Sequence, residues 1–371
     1  MKRAMVIGGG AVGLSVANEI ADLFLEVYVV EKESRVGEHA SSRSSQVAHA
    51  GLYYPTDSLK AKLCVEGNTL LQQFCNDHDI PFRSVGKLVV ALDEKEDASL
   101  DTLLCQAEQN GVPDVRKISG REVQNLEPQV RCYSALHVPT SGIFDSGKYL
   151  GSLVANAWHK GVHICKKTVV TGISSEETFT VSVKTNGFPE ETVSADVLIN
   201  AAGLFSDAVA KMVNSENDYQ VIPVRGEAAK FYRSDGTAIS MNIYPVPHQH
   251  TMENGDKTFT TGVHFTPTFG KEITIGPYLV APLHKEDYAI TTPLEQFYEK
   301  VATFFPSLRM EDLHIHQAGI SAKLAGHSDF VITQDKDFNQ CIHLLGIDSP
   351  GLTASLAIGK YVKQMLKEHL L

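Results

Sequence analysis

The apolar run Ala4-Met5-Val6-Ile7 breaks off at Gly8-Gly9-Gly10-Ala11-Val12-Gly13, and from Leu14 to Leu23 apolar positions recur with helical spacing. A second β-rich run, Val27-Tyr28-Val29-Val30, ends on Glu31, 18 positions after Gly13. The pattern predicts strand, glycine turn, helix, strand and terminal acid, the order of a dinucleotide-binding unit. In such a unit Gly8 permits the tight turn, Gly10 the approach of backbone to a pyrophosphate, and Gly13 the packing of helix on strand. Glu31 stands where an acid would take a ribose hydroxyl, and the helix start offers N–H groups and a positive dipole end to phosphates. The motif by itself leaves NAD and FAD equally open.

Downstream, the spacing predicts a helix over Leu59 to His78, with Leu63, Gly67, Leu70, Leu71 and Phe74 on one face, and a strand over Gly86 to Leu92. A helix over Ser99 to Asn110 follows, then a capping box at Ser119 and Glu122 opening a short helix to Leu126. This portion departs from β-α-β alternation and reads as an inserted second domain. Past Ser141-Gly142 come a helix over Tyr149 to Trp158 and strands at 162–165, 169–173, 179–184 and 193–195. Val197 to Asn200 then runs into Ala201-Ala202-Gly203, a second strand–glycine–helix turn where the nucleotide domain resumes.

The stretches 221–232, 243–247, 262–267 and 273–277 are short, β-rich and broken by Pro and Gly, the mark of an antiparallel sheet. Pro293 to Phe305 reads as helical. The strand at His343 to Gly346 leads to a terminal helix ending near His369, with Ser349 as N-cap and Pro350 as first helical residue. The fold class is therefore α/β plus α+β: a Rossmann-like domain over 1–82, 140–215 and 310–371, interleaved with an antiparallel-sheet substrate domain over 83–139 and 216–309.

Composition narrows the function. With 371 residues, 43% of them hydrophobic and 21% charged, the chain can bury a large core, and its net charge of −11 disfavours nucleic acid and anionic lipid. No apolar run approaches the ~18–20 residues of a membrane span, and strand one begins too near Met1 for a signal peptide, so a cytoplasmic protein is expected. The six cysteines form no CxxC pair, and the fifteen histidines lack metal-ligand spacing, so reduced thiols and no metal are expected.

Chemistry concentrates after Glu31. The tract Ala40-Ser41-Ser42-Arg43-Ser44-Ser45-Gln46 runs straight into Val47-Ala48-His49-Ala50-Gly51-Leu52-Tyr53-Tyr54-Pro55. Small residues for close approach, a titratable ring and two amphipathic rings make this a cofactor-facing segment instead of a linker.

Together, GGGAVG with Glu31, SSRSSQVAHAGLYYP running into DSLKAKLCVEG, GKLVVA, SGIFD, NAAGLFSD, IYPVP, GVHFTP with IGP, and GIDSPGLTASLAIG span almost the whole chain. They resemble the FAD-dependent oxidoreductases of the D-amino-acid oxidase type, and within them the L-2-hydroxyglutarate dehydrogenase or oxidase branch. The resemblance implies that Gly8, Gly10, Gly13, Glu31 and Lys32 hold the ADP half of non-covalent FAD, and that Ser41, Ser42, Ser44 and Ser45 line the flavin. It places Val169 and Val170 at the adenine side, Ala202 and Gly203 near the cofactor, and Gly346, Gly351, Leu352 and Thr353 against the pyrimidine end. A helix N-terminus there suits the negative charge of a reduced flavin.

The implied chemistry moves hydride from the carbinol carbon of a small 2-hydroxy acid to flavin N5, with His49 as base and His264 as rival base or substrate-orienting group. Tyr54 and Tyr244 are candidate donors to the substrate carboxylate. Many relatives carry Gly-x-Arg in the strand after the second domain to grip that carboxylate, but this chain reads Gly319-Ile320-Ser321. Lys323, Arg225 or Lys60 must then supply the charge. An amino-acid or sarcosine-type oxidase and a catalytically silent flavoprotein are the competing expectations; the electron acceptor is open among oxygen, quinone and an electron-transfer protein. A quinone would bring a peripheral membrane contact.

Overall fold

The computed structural model describes residues 2–232, 239–251 and 257–369. The first strand, Arg3–Ile7, lies inside a six-stranded sheet, flanked in parallel by Val197–Asn200 and Glu26–Val30. Cys341–Leu345 and His163–Cys165 extend the sheet in parallel on either side, and Val331–Gln334 closes one edge antiparallel. The inner strands are continuous apolar runs because both faces are covered. On one face lie the helices Ala11–Ile20, Ser146–His159 and Gly351–His369, packed around Leu14, Ile20, Leu153 and Ile358. On the other, Met5, Ile7 and Leu198 meet Phe179 and Val181 of a three-stranded sheet spanning Thr168–Ser175, Phe179–Thr185 and Glu190–Ala195. Gly359 lets the terminal helix approach the first helix, since a Cβ there would stand 2.8 Å from the Ser15 carbonyl oxygen.

A second, eight-stranded sheet has the order Leu313–Leu324, Val221–Phe231, Ile273–Val280, His264–Pro267, Asn242–Pro245, Lys87–Ala91, Ser134–Val138, Arg116–Ser119. All its pairings are antiparallel except that of Asn242–Pro245 with Lys87–Ala91. Phe231, Phe265, Phe297, Phe304 and Phe305 fill its own core. The twelve-residue strand Leu313–Leu324 belongs to this sheet, pairing along the whole of Val221–Phe231. That overturns the sequence boundary at 310: residues 313–324 lie with the antiparallel sheet, and the six-stranded sheet resumes only at Val331.

Local signals adjust other boundaries. The helix placed at Ser99 starts at Glu94, because Asp93 accepts a hydrogen bond from Glu96 N and three acids occupy the first turn. The helix placed at Tyr149 starts at Ser146 under an Asp145 cap, and the Ser119–Glu122 capping box forms with both its bonds. The terminal helix begins at Gly351, and Ala354 N donates to the Pro350 carbonyl, so Pro350 holds the cap position that Ser349 was expected to take. Among the described residues no helix is long and apolar enough to cross a membrane.

Candidate functional site

Two adjoining cavities run between the glycine turn and the second sheet, sharing Ala11, Val12, Ala40, Ser41, Ala322 and Ile347 as walls. The first, of about 360 Å³, is built on the opening strand–turn–helix. Gly8 has φ +112°, and a Cβ there would sit 2.3 Å from the Ala201 carbonyl oxygen, so only glycine fits this turn. Gly10 caps the first helix with no side-chain bond of its own, and Ala11 N donates to Ser41 Oγ at 3.0 Å. Glu31 is buried, its two carboxylate oxygens accepting from Gly9 N at 2.9 Å and Glu33 N at 2.8 Å. Each oxygen keeps a further lone pair for a hydroxyl donor. Gly8, Gly10, Glu31, Lys32, Ser41, Val169, Val170, Ala202 and Gly203 all line this cavity. A glycine cradle, an open helix start and a buried acid match the ADP half of FAD.

The second cavity, of about 290 Å³, carries Ser44, Ser45, His49, Tyr244 and His264 on one side and Gly351, Leu352 and Thr353 of the terminal helix on another. His49 is anchored through its backbone: its N–H donates to Thr353 Oγ1 at 3.1 Å and its carbonyl accepts from Asn68 Nδ2 at 2.9 Å. Its Nε2 lies 3.5 Å from Ser349 Oγ, and its Nδ1 is buried with no partner among the described residues. Burial, followed by the charges of Lys87 and His264, holds its pKa well below the ordinary imidazole value.

His264 Nδ1 meets the Gly262 carbonyl at 2.8 Å, which assigns the proton to Nδ1 and leaves Nε2, buried and without a partner among the described residues, as the acceptor. The ring stacks on Tyr244 at 3.6 Å and 15°. Burial pushes its pKa down to about 3 and raises that of the Tyr244 phenol. Two neutral imidazoles thus share a cavity with a helix N-terminus, a set able to accept a proton and to favour nearby negative charge.

Several expected residues lie elsewhere. Ser42 is exposed and lines neither cavity. Gly13 packs the helix on the turn, where a Cβ would stand 2.0 Å from the Gly8 carbonyl oxygen, and Gly346 makes a φ +65° turn against Leu324. Tyr54 lines neither cavity. Arg225 is buried and spent: Nε donates to Glu227 at 2.9 Å, one terminal nitrogen to Asp287 at 2.6 Å and the other to Thr291 Oγ1 at 3.0 Å. Its place as a substrate anchor is therefore withdrawn. Lys60 is committed to Asp348 at 2.7 Å. Lys323 lies outside the lining, its pKa lowered by burial and opposed by the Asp348 charge.

Arg43, passed over within the serine tract, lines the second cavity. Its guanidinium lies 4.0 Å over the Tyr288 ring, bonds only carbonyl oxygens and has no ion pair among the described residues. An arginine alone among serines was the available signal. Lys87, buried behind Tyr244, was also missed, because a strand lysine reads as solvent-facing. No cysteine lines either cavity. Glu33, His39 and Glu286 converge within 4.8 Å, but Lys32 bonds both carboxylates and supplies the charge a cation would bring.

A family model described as FAD dependent oxidoreductase (DAO) matches residues 3–365. The mitochondrial L-2-hydroxyglutarate dehydrogenase of Arabidopsis thaliana is 31% identical, covering 96% of this chain and 82% of its own. The L-2-hydroxyglutarate dehydrogenase of Indibacter alkaliphilus is 31% identical over 96% of each chain. Among solved structures, FAD-bound L-alpha-glycerophosphate oxidase from Mycoplasma pneumoniae superposes with a TM-score of 0.88 at 25% identity, covering 99% of this chain and 95% of that one.

Proposed function

We propose that this chain, which belongs to the FAD-dependent oxidoreductase (DAO) family, oxidises an L-2-hydroxy acid of the 2-hydroxyglutarate kind to the 2-oxo acid. The observation that carries the reading is the pair of neutral imidazoles of His49 and His264 in the cavity that continues from the glycine cradle. Similarity to two enzymes named for L-2-hydroxyglutarate supports the substrate class.

FAD, when bound, supplies the hydride acceptor. The chain's part is to hold the hydroxy acid and take its hydroxyl proton. His264 Nε2 is the acceptor its tautomer leaves free, and His49 is the second base of the pair. Arg43 is the cation for the substrate carboxylate, replacing the arginine that Ser321 does not provide. Gly351, Leu352 and Thr353 present a helix start to negative charge. The cofactor is held without a covalent bond, supported by two linings that include no cysteine. The cysteine thiols are free, which supports a reducing compartment such as the cytoplasm.

The test is anaerobic mixing of the FAD-loaded protein with L- and D-2-hydroxyglutarate, sn-glycerol 3-phosphate, glycine and D-amino acids. Bleaching of the flavin band by L-2-hydroxyglutarate is expected. Bleaching by amino acids alone would overturn the proposal, and bleaching by none would mark a silent flavoprotein.

A further inference from the structure

Lys87, the lysine of the Gly-Lys-Leu-Val-Val-Ala run, is fully buried in the strand Lys87–Ala91. Its Nζ has no hydrogen-bond partner among the described residues. It lies 4.0 Å from the centre of the Tyr244 ring and 5.1 Å from that of Tyr53, two rings 6.4 Å apart and nearly parallel. Tyr244 in turn stacks on His264. The ammonium site therefore lies one ring behind His264, and among the described residues Tyr53 Oη, Tyr244 Oη, His264 Nε2 and His49 Nδ1 also have no hydrogen-bond partner.

The groups facing Lys87 can be named element by element. The segment after Val47–Ala48 brings His49 and Tyr53; the helix Leu59–Asp77 brings Cys64, whose thiol burial pushes up to about 12. Asn242–Pro245 brings Tyr244, and His264–Pro267 brings His264. On the neighbouring strand Ser134–Val138 the register partner is Val138, and His137 pairs with Leu88 on the other face. Among the described residues, none of these groups is a carboxylate. Surroundings of low polarizability with no carboxylate facing Lys87 oppose a second positive charge beside it, because like charges repel strongly there; Asp348, the carboxylate on the cavity lining, is paired with Lys60. A lysine is intrinsically some four pH units more basic than a histidine, about 10.4 against 6.5, so it wins the first proton.

We propose that Lys87 is a positioning residue of the active site, carrying a positive charge behind Tyr244 that helps keep His264 and His49 neutral and proton-accepting. This rests on the reading of those histidines as the bases of the reaction. The directions of titration agree with it: burial brings Lys87 down to about 7, and burial first, with the Lys87 charge adding to it, lowers both imidazoles. Lys87 itself touches neither cavity, so its effect reaches the reaction through the protonation of its neighbours.

The experiment is a pH titration of FAD-loaded full-length protein carrying 15N-labelled histidine, with His49→Asn and His264→Asn used for assignment, in wild type, K87M, K87Q and K87R. In wild type both imidazoles are expected to titrate well below the ordinary imidazole value of about 6.5. In K87M and K87Q the His264 midpoint rises by at least about one unit, and K87R restores the wild-type curve. Flavin reduction by L-2-hydroxyglutarate in K87M is expected to match wild type near about pH 9 and, as pH falls, to be lost at a higher pH than in wild type, following the raised His264 midpoint. A wild-type His264 midpoint near 6.5, or folded variants with unmoved midpoints, would overturn the proposal; the wild-type curve decides alone if the variants fail to bind FAD. Wild type that no 2-hydroxy acid reduces would sink the functional reading, leaving the histidine titration to judge Lys87 separately.

Discussion

Lys60 and Asp348 close a 2.7 Å ion pair at the foot of the terminal helix, each side chain about nine-tenths buried. The pair ties the start of the helix Leu59–Asp77 to the turn that delivers Ser349, Pro350 and Gly351 to the cavity. Lys60 is thus a support of the site and not a substrate anchor. Removing one member of a buried pair strands the other, so K60M is expected to destabilise the protein by about 3 kcal/mol. Its thermal unfolding should drop by several degrees, with FAD lost at lower temperature than in wild type.

Gly8 tests the cradle. Its φ of +112° and the 2.3 Å that would separate an added Cβ from the Ala201 carbonyl oxygen leave no room for alanine. G8A should cost on the order of 2 kcal/mol through strain and displaced backbone. Purified G8A is expected to be colourless while keeping the wild-type far-ultraviolet circular dichroism; a fully yellow G8A would contradict the cradle.

The two histidines separate by substitution. H264N keeps a donor toward the Gly262 carbonyl and removes the basic ring nitrogen, and H49N removes the imidazole of the neighbouring segment while keeping its backbone anchors. Loss of a general base costs roughly 10²- to 10⁴-fold in rate. Anaerobic stopped-flow reduction should show that loss in one variant and a smaller one in the other, which identifies the base; equal, minor losses would remove both from the role.

Arg43 has no acid to answer to among the described residues, so R43M should leave stability within about 0.5 kcal/mol of wild type. The expected effect is on substrate: a KM raised ten-fold or more against a kcat changed far less, read from initial rates with an artificial dye acceptor. An unchanged KM would return the carboxylate to another group.

Acid stability is expected to pass through Asp335. Although burial opposes it, hydrogen bonds from Asn217, Asp337 N, His343 and Asn214 hold its pKa at about 2, below the usual 3.8. A depressed carboxyl stabilises the fold above its unfolded pKa and loses that contribution as pH falls through the folded value. The shift corresponds to roughly 2 kcal/mol present at neutral pH and lost between about pH 4 and 2. Urea unfolding of D335N against wild type should show that gap at pH 7 and its closure toward pH 2.

The chain alone determined the opening turn, the doubly covered parallel strands and the interleaving of two sheets. Each of these is a local demand: Gly8 and Gly13 must lack a Cβ, and a strand buried on both faces must be apolar along its length. The sheet to which Leu313–Leu324 belongs escaped, because alternation marks a strand without naming its neighbour and only the pairing with Val221–Phe231 puts it in the second sheet. Which charges are free was decided by tertiary structure alone. Arg225 is consumed by Asp287, 62 residues away, and Lys60 by Asp348, while Arg43 and Lys87 meet rings instead of acids. A side chain's charge is written in its identity, but its availability depends on partners that come from distant parts of the chain, and only folding brings those together.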